Sequence, residues 1–180
     1  GYFDMVKAYA ALSAKEALKP FKYKAEALKE NEVRIKVQSC GICHSDISAI
    51  DNSWGKSNYP LVAGHEVIGE IIELGSETTQ HKHGDTVGLG WHSGYCNNCS
   101  HCKVGDHNFC SKTKKTVFSQ YGGFAEEVVA EETSVIPIPK KLNHKDAGPL
   151  LCGGITVFTP IVEFAINKNH KVGIIGIGGL

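Results

Sequence analysis

Four cysteines fall within fifteen residues of this 180-residue chain, in a spacing that suits a metal site. They are Cys96, Cys99, Cys102 and Cys110. A loop with the spacing Cys-x2-Cys-x2-Cys-x7-Cys can turn four thiolates towards one point, as a closed tetrahedral Zn²⁺ site requires. The sequence therefore predicts a structural zinc ion that organises the long stretch from residue 90 to residue 121, which has no strand pattern.

Two other roles for these cysteines fit less well. Disulfide frameworks are typical of short secreted chains, whereas this chain has seven cysteines, an odd number, and shows no charged-then-apolar leader. Bacterial iron–sulfur sites also start with two Cys-x2-Cys steps, but they close with a shorter gap and a proline, where this chain has Ser111. His101 and His107 lie in the same loop, and we expect both to be solvated because four thiolates already complete the shell.

A second set of ligands can be drawn from the other cysteines. These are Cys40, Cys43 and Cys152, and two of them can join His65. Two thiolates and one imidazole suit Zn²⁺, and three protein ligands leave a position open for water or an alcohol oxygen. Zinc with an open position stabilises an alkoxide, the species that gives up hydride. We expect the chemistry to occur at this second set, and we expect Cys40 to serve in packing.

Polar residues directly after Cys43 extend the second set. Ser45 is placed to carry away the proton of an alcohol, and His44 to extend that relay or to contact a cofactor phosphate. Asp46 can accept the second ring N–H of His65 and so fix its tautomer. These residues predict a proton path beside the metal.

The charge balance argues against several classes of partner. Lysine plus arginine and aspartate plus glutamate both number 19, so no basic field attracts nucleic acid or anionic lipid. We expect Lys112, Lys114 and Lys115 to lie in a solvated loop. No apolar run reaches the roughly 18 residues that a membrane helix needs. The expectation is a soluble, cytoplasmic protein without a nucleic-acid or membrane partner, in which residues 1–4, ahead of Met5, are an expression remnant.

Hydrophobic periodicity predicts a mainly β (α+β) fold. Alternating segments at 32–38, 67–74, 86–89 and 124–129, separated by glycine turns, indicate a small barrel or sandwich. Helical patterns follow at 143–151 and 155–166, the second interrupted by Pro160. A predicted strand at 171–175 then leads into Gly176, Gly178 and Gly179, which match the start of the Gly-x-Gly-x-x-Gly fingerprint of dinucleotide-binding domains.

Six segments occur in the order seen in zinc-dependent medium-chain alcohol dehydrogenases, and the chain resembles that family over nearly its whole length. The segments are CGICHSD at 40–46, GHEVIG at 64–69, the four-cysteine loop, GGFA at 122–125, PLLCGGIT at 149–156 and VGIIGIGGL at 172–180. The resemblance is closest to the cinnamyl alcohol dehydrogenase-like branch, which includes bacterial broad-range aldehyde reductases. One departure is Ser48, which stands where many relatives carry a histidine at the outer end of the proton path.

The resemblance assigns the metal ligands and the relay. The catalytic zinc ligands would be Cys43, His65 and Cys152, and Glu66 matches a glutamate that can approach or bind the zinc when water leaves. Ser45 matches the relay hydroxyl of the family.

The resemblance also implies contacts with cofactor and substrate. His44 matches the position that meets the cofactor pyrophosphate, and Thr156 matches a residue beside the nicotinamide. Trp54 matches a bulky aromatic of the substrate pocket, and a partly buried loop anchor is an equally good interpretation of Trp54.

At the level of domains, the resemblance implies a GroES-like zinc-binding catalytic domain at 5–150. Residues 151–180 would be the first helix and strand of a Rossmann nucleotide-binding domain, truncated at the glycine fingerprint. The intact protein is expected to interconvert primary alcohols and aldehydes with NADP(H), favoured over NAD(H), to hold two zinc ions per chain, and to form a homodimer or homotetramer. The 180-residue chain alone is expected to bind zinc without turnover.

Three alternatives remain open from the sequence. A zinc-free quinone or enoyl reductase shares the two-domain layout but has no use for the ligands. A polyol or sugar dehydrogenase of the same superfamily would keep them. A non-catalytic zinc module that binds protein or nucleic acid is disfavoured by the neutral charge and by the lack of interleaved basic and aromatic residues.

Overall fold

A computed structural model describes residues 5–179, and nine short strands dominate it. The strands are β1 (Met5–Ala10), β2 (Lys19–Lys24), β3 (Glu32–Cys40), β4 (Val67–Leu74), β5 (Thr86–Leu89), β6 (His92–Gly94), β7 (Lys114–Lys115), β8 (Glu127–Glu131) and β9 (Val135–Pro137). The helices are α1 (His44–Ile50), α2 (Ser100–Lys103) and α3 (Gly153–Glu163), with 3₁₀ turns at His107–Phe109, Glu132–Ser134 and Gly148–Leu151. The mainly β expectation is confirmed.

The central element is an antiparallel five-stranded sheet in the order β8-β3-β4-β5-β9. Strands β1 and β2 form a ribbon beside it, joined through the bridge from Ala8 to Ala125, and β6 and β7 form a second ribbon. The described strands therefore make an open sheet with two attached ribbons.

Alternating side chains along the strands build the main core. Val33 and Ile35 of β3 and Ile71 of β4 are fully buried on one face, and six buried apolar neighbours from β4, β5, β8 and β9 join them. On the opposite face of β3, the Arg34 guanidinium donates from Nε to Glu73 at 2.7 Å and from Nη2 to the Glu26 carbonyl at 2.6 Å. The sheet thus carries the apolar core on one face and, on the other, an ion pair that joins β3 to β4.

A change of register near the end of β3 directs the chain towards the segment that enters β4. The pairing of β3 with β4 shifts between Val37 and Ser39, a bulge-like irregularity that bends a strand. Beyond it the Gly41 amide donates to the Glu66 carbonyl at 3.0 Å. The segment after β3 therefore lies directly beside the segment that enters β4.

The predicted strands agree with the structure to different degrees. Those at 67–74 and 86–89 match β4 and β5 end to end, and β3 runs two residues beyond its predicted end. The strand predicted at 124–129 begins only at Glu127, because the amide of Phe124 bonds to Ala63 and that of Glu126 to Lys7 instead. The sequence pattern located this segment but not its partners.

Three other expectations need correction. Residues 171–175 form no strand, because no other segment among residues 5–179 pairs with them. The helical pattern at 143–151 yields only the 3₁₀ turn Gly148–Leu151. Lys114 and Lys115 do not lie in a solvated loop but form β7, half-buried.

Helix α3 covers most of the predicted 155–166 pattern and keeps Pro160 within it. Its large apolar side chains are about half exposed or more; these are Ile155, Val157, Phe158, Ile161 and Val162.

The expected remnant at residues 1–4, and Leu180 at the end of the fingerprint, lie outside the described residues. None of the helices in residues 5–179 combines the length and hydropathy needed to cross a lipid bilayer.

We expect Ile71→Ala to lower the free energy of unfolding by about 2–5 kcal/mol, because it opens a cavity in the main core. Ile72→Ala is the matched control, since Ile72 is its half-exposed neighbour on the other face of β4. Urea denaturation of both variants measures the difference, and equal losses would contradict the placement of the core.

Candidate metal centres

The four predicted cysteines converge in a lobe between β6 and β7. Their sulfur atoms all lie within 4.8 Å of one another, and Cys96 Sγ is 3.9 Å from Cys102 Sγ. A zinc ion with Zn–S bonds of about 2.3 Å needs sulfurs about 3.8 Å apart in a tetrahedron. The donor set therefore fits zinc in both chemistry and spacing.

Local backbone amides prepare the lobe for thiolates. Amides of Asn98 and Cys99 donate to the Cys96 sulfur and lower the pKa of that thiol to about 6, whereas burial raises the pKa of Cys102 to about 12. Cys99 caps α2 and accepts from the Cys102 amide at 3.5 Å. A bound cation would complete this arrangement by ionising the remaining thiols.

The two histidines of the lobe differ in their surroundings. His101 is exposed, as expected. His107 is only partly exposed, because its ring packs on Tyr95 with 4.9 Å between ring centroids. Neither histidine belongs to the cluster of four sulfurs.

A second cluster contains Cys43, His65, Glu66 and Cys152, with their ligand atoms within 4.8 Å of one another. Cys43 Sγ lies 3.6 Å from Cys152 Sγ, and His65 Nε2 lies 3.4 Å from Cys152 Sγ. Tetrahedral zinc predicts about 3.8 Å between two sulfurs and about 3.5 Å between sulfur and imidazole nitrogen. These donors also fit zinc, and they come from segments far apart in the chain.

Each ligand of the second cluster sits at the end of an element. Cys43 is the N-cap of α1, and His65 and Glu66 directly precede β4. Cys152 lies between the 3₁₀ turn and α3, where the preceding Leu151 packs against the backbone of Gly88 in β5. His65 and Glu66 are thus joined directly to the sheet, and Cys152 is held against it through Leu151.

Asp46 connects two of the ligand segments. Its Oδ1 accepts from the Gly64 amide at 2.8 Å and lies 2.9 Å from His65 Nδ1, while its Oδ2 accepts from the Cys43 amide at 3.0 Å. Asp46 and His65 are both almost fully buried. A carboxylate on Nδ1 leaves Nε2 free to bind a metal, the geometry expected from the sequence.

The ionisable groups of this cluster are shifted in different directions. Burial opposes the thiolate of Cys43, but hydrogen bonds from the Ser45 amide and hydroxyl, together with those from Cys152 and His65, lower its pKa overall. Burial raises the pKa of Cys152 to about 12. Burial also disfavours the imidazolium of His65, yet the Asp46 carboxylate raises its pKa overall. Cys43 is therefore the thiol that ionises first.

Glu66 is the fourth donor, and a glycine makes room for it. The Glu66 side chain is almost fully buried, and burial raises its pKa. A Cβ on Gly41 would lie 1.9 Å from Glu66 Oε2, so a side chain there would collide with the carboxylate. The sequence predicted a role for Glu66 but none for Gly41, which lies within the CGIC motif at 40–43.

Among the other predicted site residues, Ser45 contacts the second cluster, whereas those expected to meet a cofactor are exposed. Ser45 contacts Cys43 through its amide at 3.5 Å, and His44 is exposed at the start of α1. Thr156 is exposed on α3, one turn beyond Cys152, whose carbonyl accepts from the Thr156 amide. The fingerprint glycines are exposed in irregular backbone; these are Gly176, Gly178 and Gly179. The contacts of Thr156 and the glycines with a cofactor stay predictions.

An aromatic wall stands next to His65. Trp91 meets the His65 ring edge-on at 4.9 Å, and Trp91, Trp54 and Phe118 make mutual edge contacts with centroids 5.8 to 6.1 Å apart. Trp54 is still 45% exposed, so one side of the wall is open. Trp91 and Phe118 were missed from the sequence because they are distant from Trp54 along the chain. Cys40 packs against the main core, as expected.

We expect the zinc-loaded chain to hold metal at both centres. Cys43→Ser should empty one centre and Cys99→Ser the other, so that each variant keeps about half of the wild-type zinc, because each removes one ligand of a different shell. Elemental analysis of the purified proteins measures this. If the double variant Cys43→Ser/Cys99→Ser keeps as much zinc as either single variant, both substitutions act on the same centre, and the two-centre assignment is refuted.

Asp46→Asn should weaken zinc binding at the Cys43 centre by about 10–100-fold, since the amide cannot accept from all three surrounding N–H groups. Competition with a chelator measures the affinity. Asp51→Asn, at the C-cap of the same helix, serves as the control and should leave the affinity unchanged. Equal affinities in Asp46→Asn and wild type would show that Asp46 does not orient His65.

Comparison with known proteins places this geometry in a family. Aldehyde reductase AdhA from Synechocystis sp. is 53% identical over 98% of this chain and 52% of its own length. A mannitol dehydrogenase from Petroselinum crispum is 40% identical over 91% of this chain and 51% of its own length. The crystal structure of CAD from Helicobacter pylori, complexed with NADP(H), is 32% identical, superposes with a TM-score of 0.86, and is matched over 91% of this chain and 50% of that one.

The chain thus spans about half the length of the relatives that it matches. The model of the alcohol dehydrogenase GroES-like domain matches residues 29–140, more than half of the 180 residues. The open sheet, the two ligand clusters and this match together show that the chain belongs to the alcohol dehydrogenase GroES-like domain family.

Proposed function

We propose that this chain is the zinc-binding part of an oxidoreductase that interconverts primary alcohols and aldehydes with NADP(H). The observation that carries the proposal is the convergence of Cys43, His65, Glu66 and Cys152 at zinc-like spacings. A zinc ion held there would polarise the oxygen of an alcohol or aldehyde. The nicotinamide supplies the hydride step in proteins of this kind.

The residues of the chain have separate tasks in this proposal. Asp46 holds His65 in the tautomer that presents Nε2, and the Ser45 amide stabilises the Cys43 thiolate. The Ser45 hydroxyl would accept the proton of the alcohol hydroxyl while its own proton passes to His44 or to water. His44 passes that proton outwards or contacts the cofactor pyrophosphate from its exposed position. Glu66 would approach or bind the zinc when water leaves.

The aromatic wall supports an apolar aldehyde as substrate. Trp54, Trp91 and Phe118 offer ring faces and edges beside the cluster, and such surfaces favour an apolar or aromatic substituent. A polyol is the second candidate, supported by the similarity to the Petroselinum crispum mannitol dehydrogenase. A polyol would need several hydrogen-bonding groups, and the wall contributes only indole N–H donors.

The proposal also covers a second zinc ion, the division into domains, the cofactor and the assembly of the full-length protein. The four-cysteine lobe would hold a structural zinc, giving two zinc ions per chain. Residues 5–150 would form the catalytic domain, and residues 151–180 would begin a nucleotide-binding domain whose continuation covers the exposed apolar side chains of α3. NADP(H) is favoured over NAD(H) by the cofactor of the Helicobacter pylori relative. We further propose a cytoplasmic homodimer or homotetramer for the full-length protein.

The decisive experiment uses the full-length protein that contains this sequence. NADPH-dependent reduction of aromatic and aliphatic aldehydes should be fast, slower with NADH, and lost in Cys43→Ser because the ligand set is broken. Cys40→Ala is the matched cysteine control and should stay active, since Cys40 packs in the core. The 180-residue chain alone should bind zinc without turnover.

Each alternative has its own outcome in this assay. Oxidation of mannitol in preference to all primary alcohols would favour the polyol enzyme. Reduction of quinones or enones by metal-free protein would favour a zinc-free reductase. Absence of any nicotinamide-dependent activity in the zinc-loaded full-length protein would leave a binding module and refute the proposal.

A further inference from the structure

The four-cysteine lobe is attached to the ribbon of β6 and β7 at two points that lie close together. Strand β6 leads into the lobe, and Tyr95 immediately precedes the first ligand, Cys96. Strand β7 leads out of it, and Lys114 follows the last ligand, Cys110, by four residues. The relative position of these two points determines how the ligand loop is closed.

One buried carboxylate contacts both points. Glu131, the last residue of β8, is only 6% exposed. Its Oε2 accepts from the Tyr95 amide at 3.1 Å, and its Oε1 pairs with the Lys114 ammonium group. A single side chain from the sheet thus holds the entrance and the exit of the lobe.

The backbone beside Glu131 is shaped around this carboxylate. A Cβ on Gly94 would lie 2.6 Å from Glu131 Cδ, which means that only glycine lets the entering strand approach so closely. Ser93 next to it is almost fully buried, and its hydroxyl has no hydrogen-bond partner among the described residues. Glu131 accepts from one backbone amide where the lobe begins, that of Tyr95.

We propose that Glu131 is a positioning residue for the four-cysteine metal centre: by holding Tyr95 and Lys114 together, it slows release of the metal without binding it. This inference rests on the proposed zinc in that centre. Removing the carboxylate leaves a partly buried ammonium group and a backbone amide without their acceptor, a costly state that opening of the lobe relieves. Groups hydrogen-bonded to metal ligands change metal affinity by about 10–100-fold when they are replaced, and Glu131 acts one residue further out, through the Tyr95 amide next to Cys96.

The chain provides a matched control in the next residue. Glu132 is also a buried glutamate, 7% exposed, but its carboxylate accepts from the amides of Thr79 and Gln80 at 2.9 Å, in a different loop. Loss of either carboxylate should cost stability. Only loss of Glu131 should act on the four-cysteine centre.

The experiment measures zinc release to a pyridylazo-resorcinol chelator in two backgrounds. Cys43→Ser leaves zinc only in the four-cysteine centre, and Cys99→Ser leaves it only in the other. We expect Glu131→Ala to speed release from the four-cysteine centre by about tenfold or more, with release from the other centre unchanged. Glu131→Gln, which keeps an oxygen for Tyr95 but loses the charge pair, should lie between Glu131→Ala and wild type.

The possible outcomes separate this inference from the proposed function. Wild-type chain without zinc in the four-cysteine centre would overturn the inference and the structural zinc proposed there, whereas the proposed oxidoreductase is refuted only by the absence of nicotinamide-dependent activity. Zinc bound there, but released at the wild-type rate in Glu131→Ala, would overturn the inference alone, as would an equal acceleration by Glu132→Ala. If Glu131→Ala does not fold, Glu131→Gln decides: an unchanged release rate in that variant would also overturn the inference.

Discussion

The arrangement of the cluster that contains Cys43, His65, Glu66 and Cys152 depends on one buried carboxylate, that of Asp46. It gathers the amide of Cys43, the amide of Gly64 and the ring of His65, and so it joins the start of α1 to the segment that enters β4. In a dry interior such charge-assisted bonds are strong and directional, and leaving any of the donors unpaired is costly. The ligand positions of Cys43 and His65 are therefore fixed to each other before any metal binds.

The parts of this structure that could be predicted from sequence are those encoded locally. The alternating pattern of β4 and β5 gave their bounds, and the cysteine spacing located the lobe, because period and spacing depend on neighbouring residues. The prediction of a strand at 171–175 was wrong because it depends on a distant partner. A strand forms only when another segment pairs with it, and none of the described segments pairs with 171–175. Residue chemistry proposed two of the three remaining cysteines with His65, and the family resemblance then assigned Cys43 and Cys152, because separate Cys and His residues carry little information alone.

The features that sequence reasoning missed are all contacts between distant residues. Lys114 belongs to a group of three lysines that looked solvated, and only the position of β8 shows that it meets the buried Glu131. Trp91 and Phe118 become a wall beside His65 only once β6 and the segment after β7 have been placed. Pairings of this kind follow from tertiary packing, which no local pattern records.

The two metal centres differ in how much chain they enclose, and this bears on the order in which the molecule is made. The lobe's four sulfurs lie within fifteen residues, whereas Cys43 and Cys152 are 109 residues apart. Closing the longer loop costs roughly 2 kcal/mol more in chain entropy by the logarithmic loop-length rule. During synthesis the lobe emerges complete while Cys152 is still unmade, and segments made earlier can fold first. The Cys43 cluster can thus be completed only after the lobe, so a nascent chain holds the four-cysteine ligand set before the second set can close.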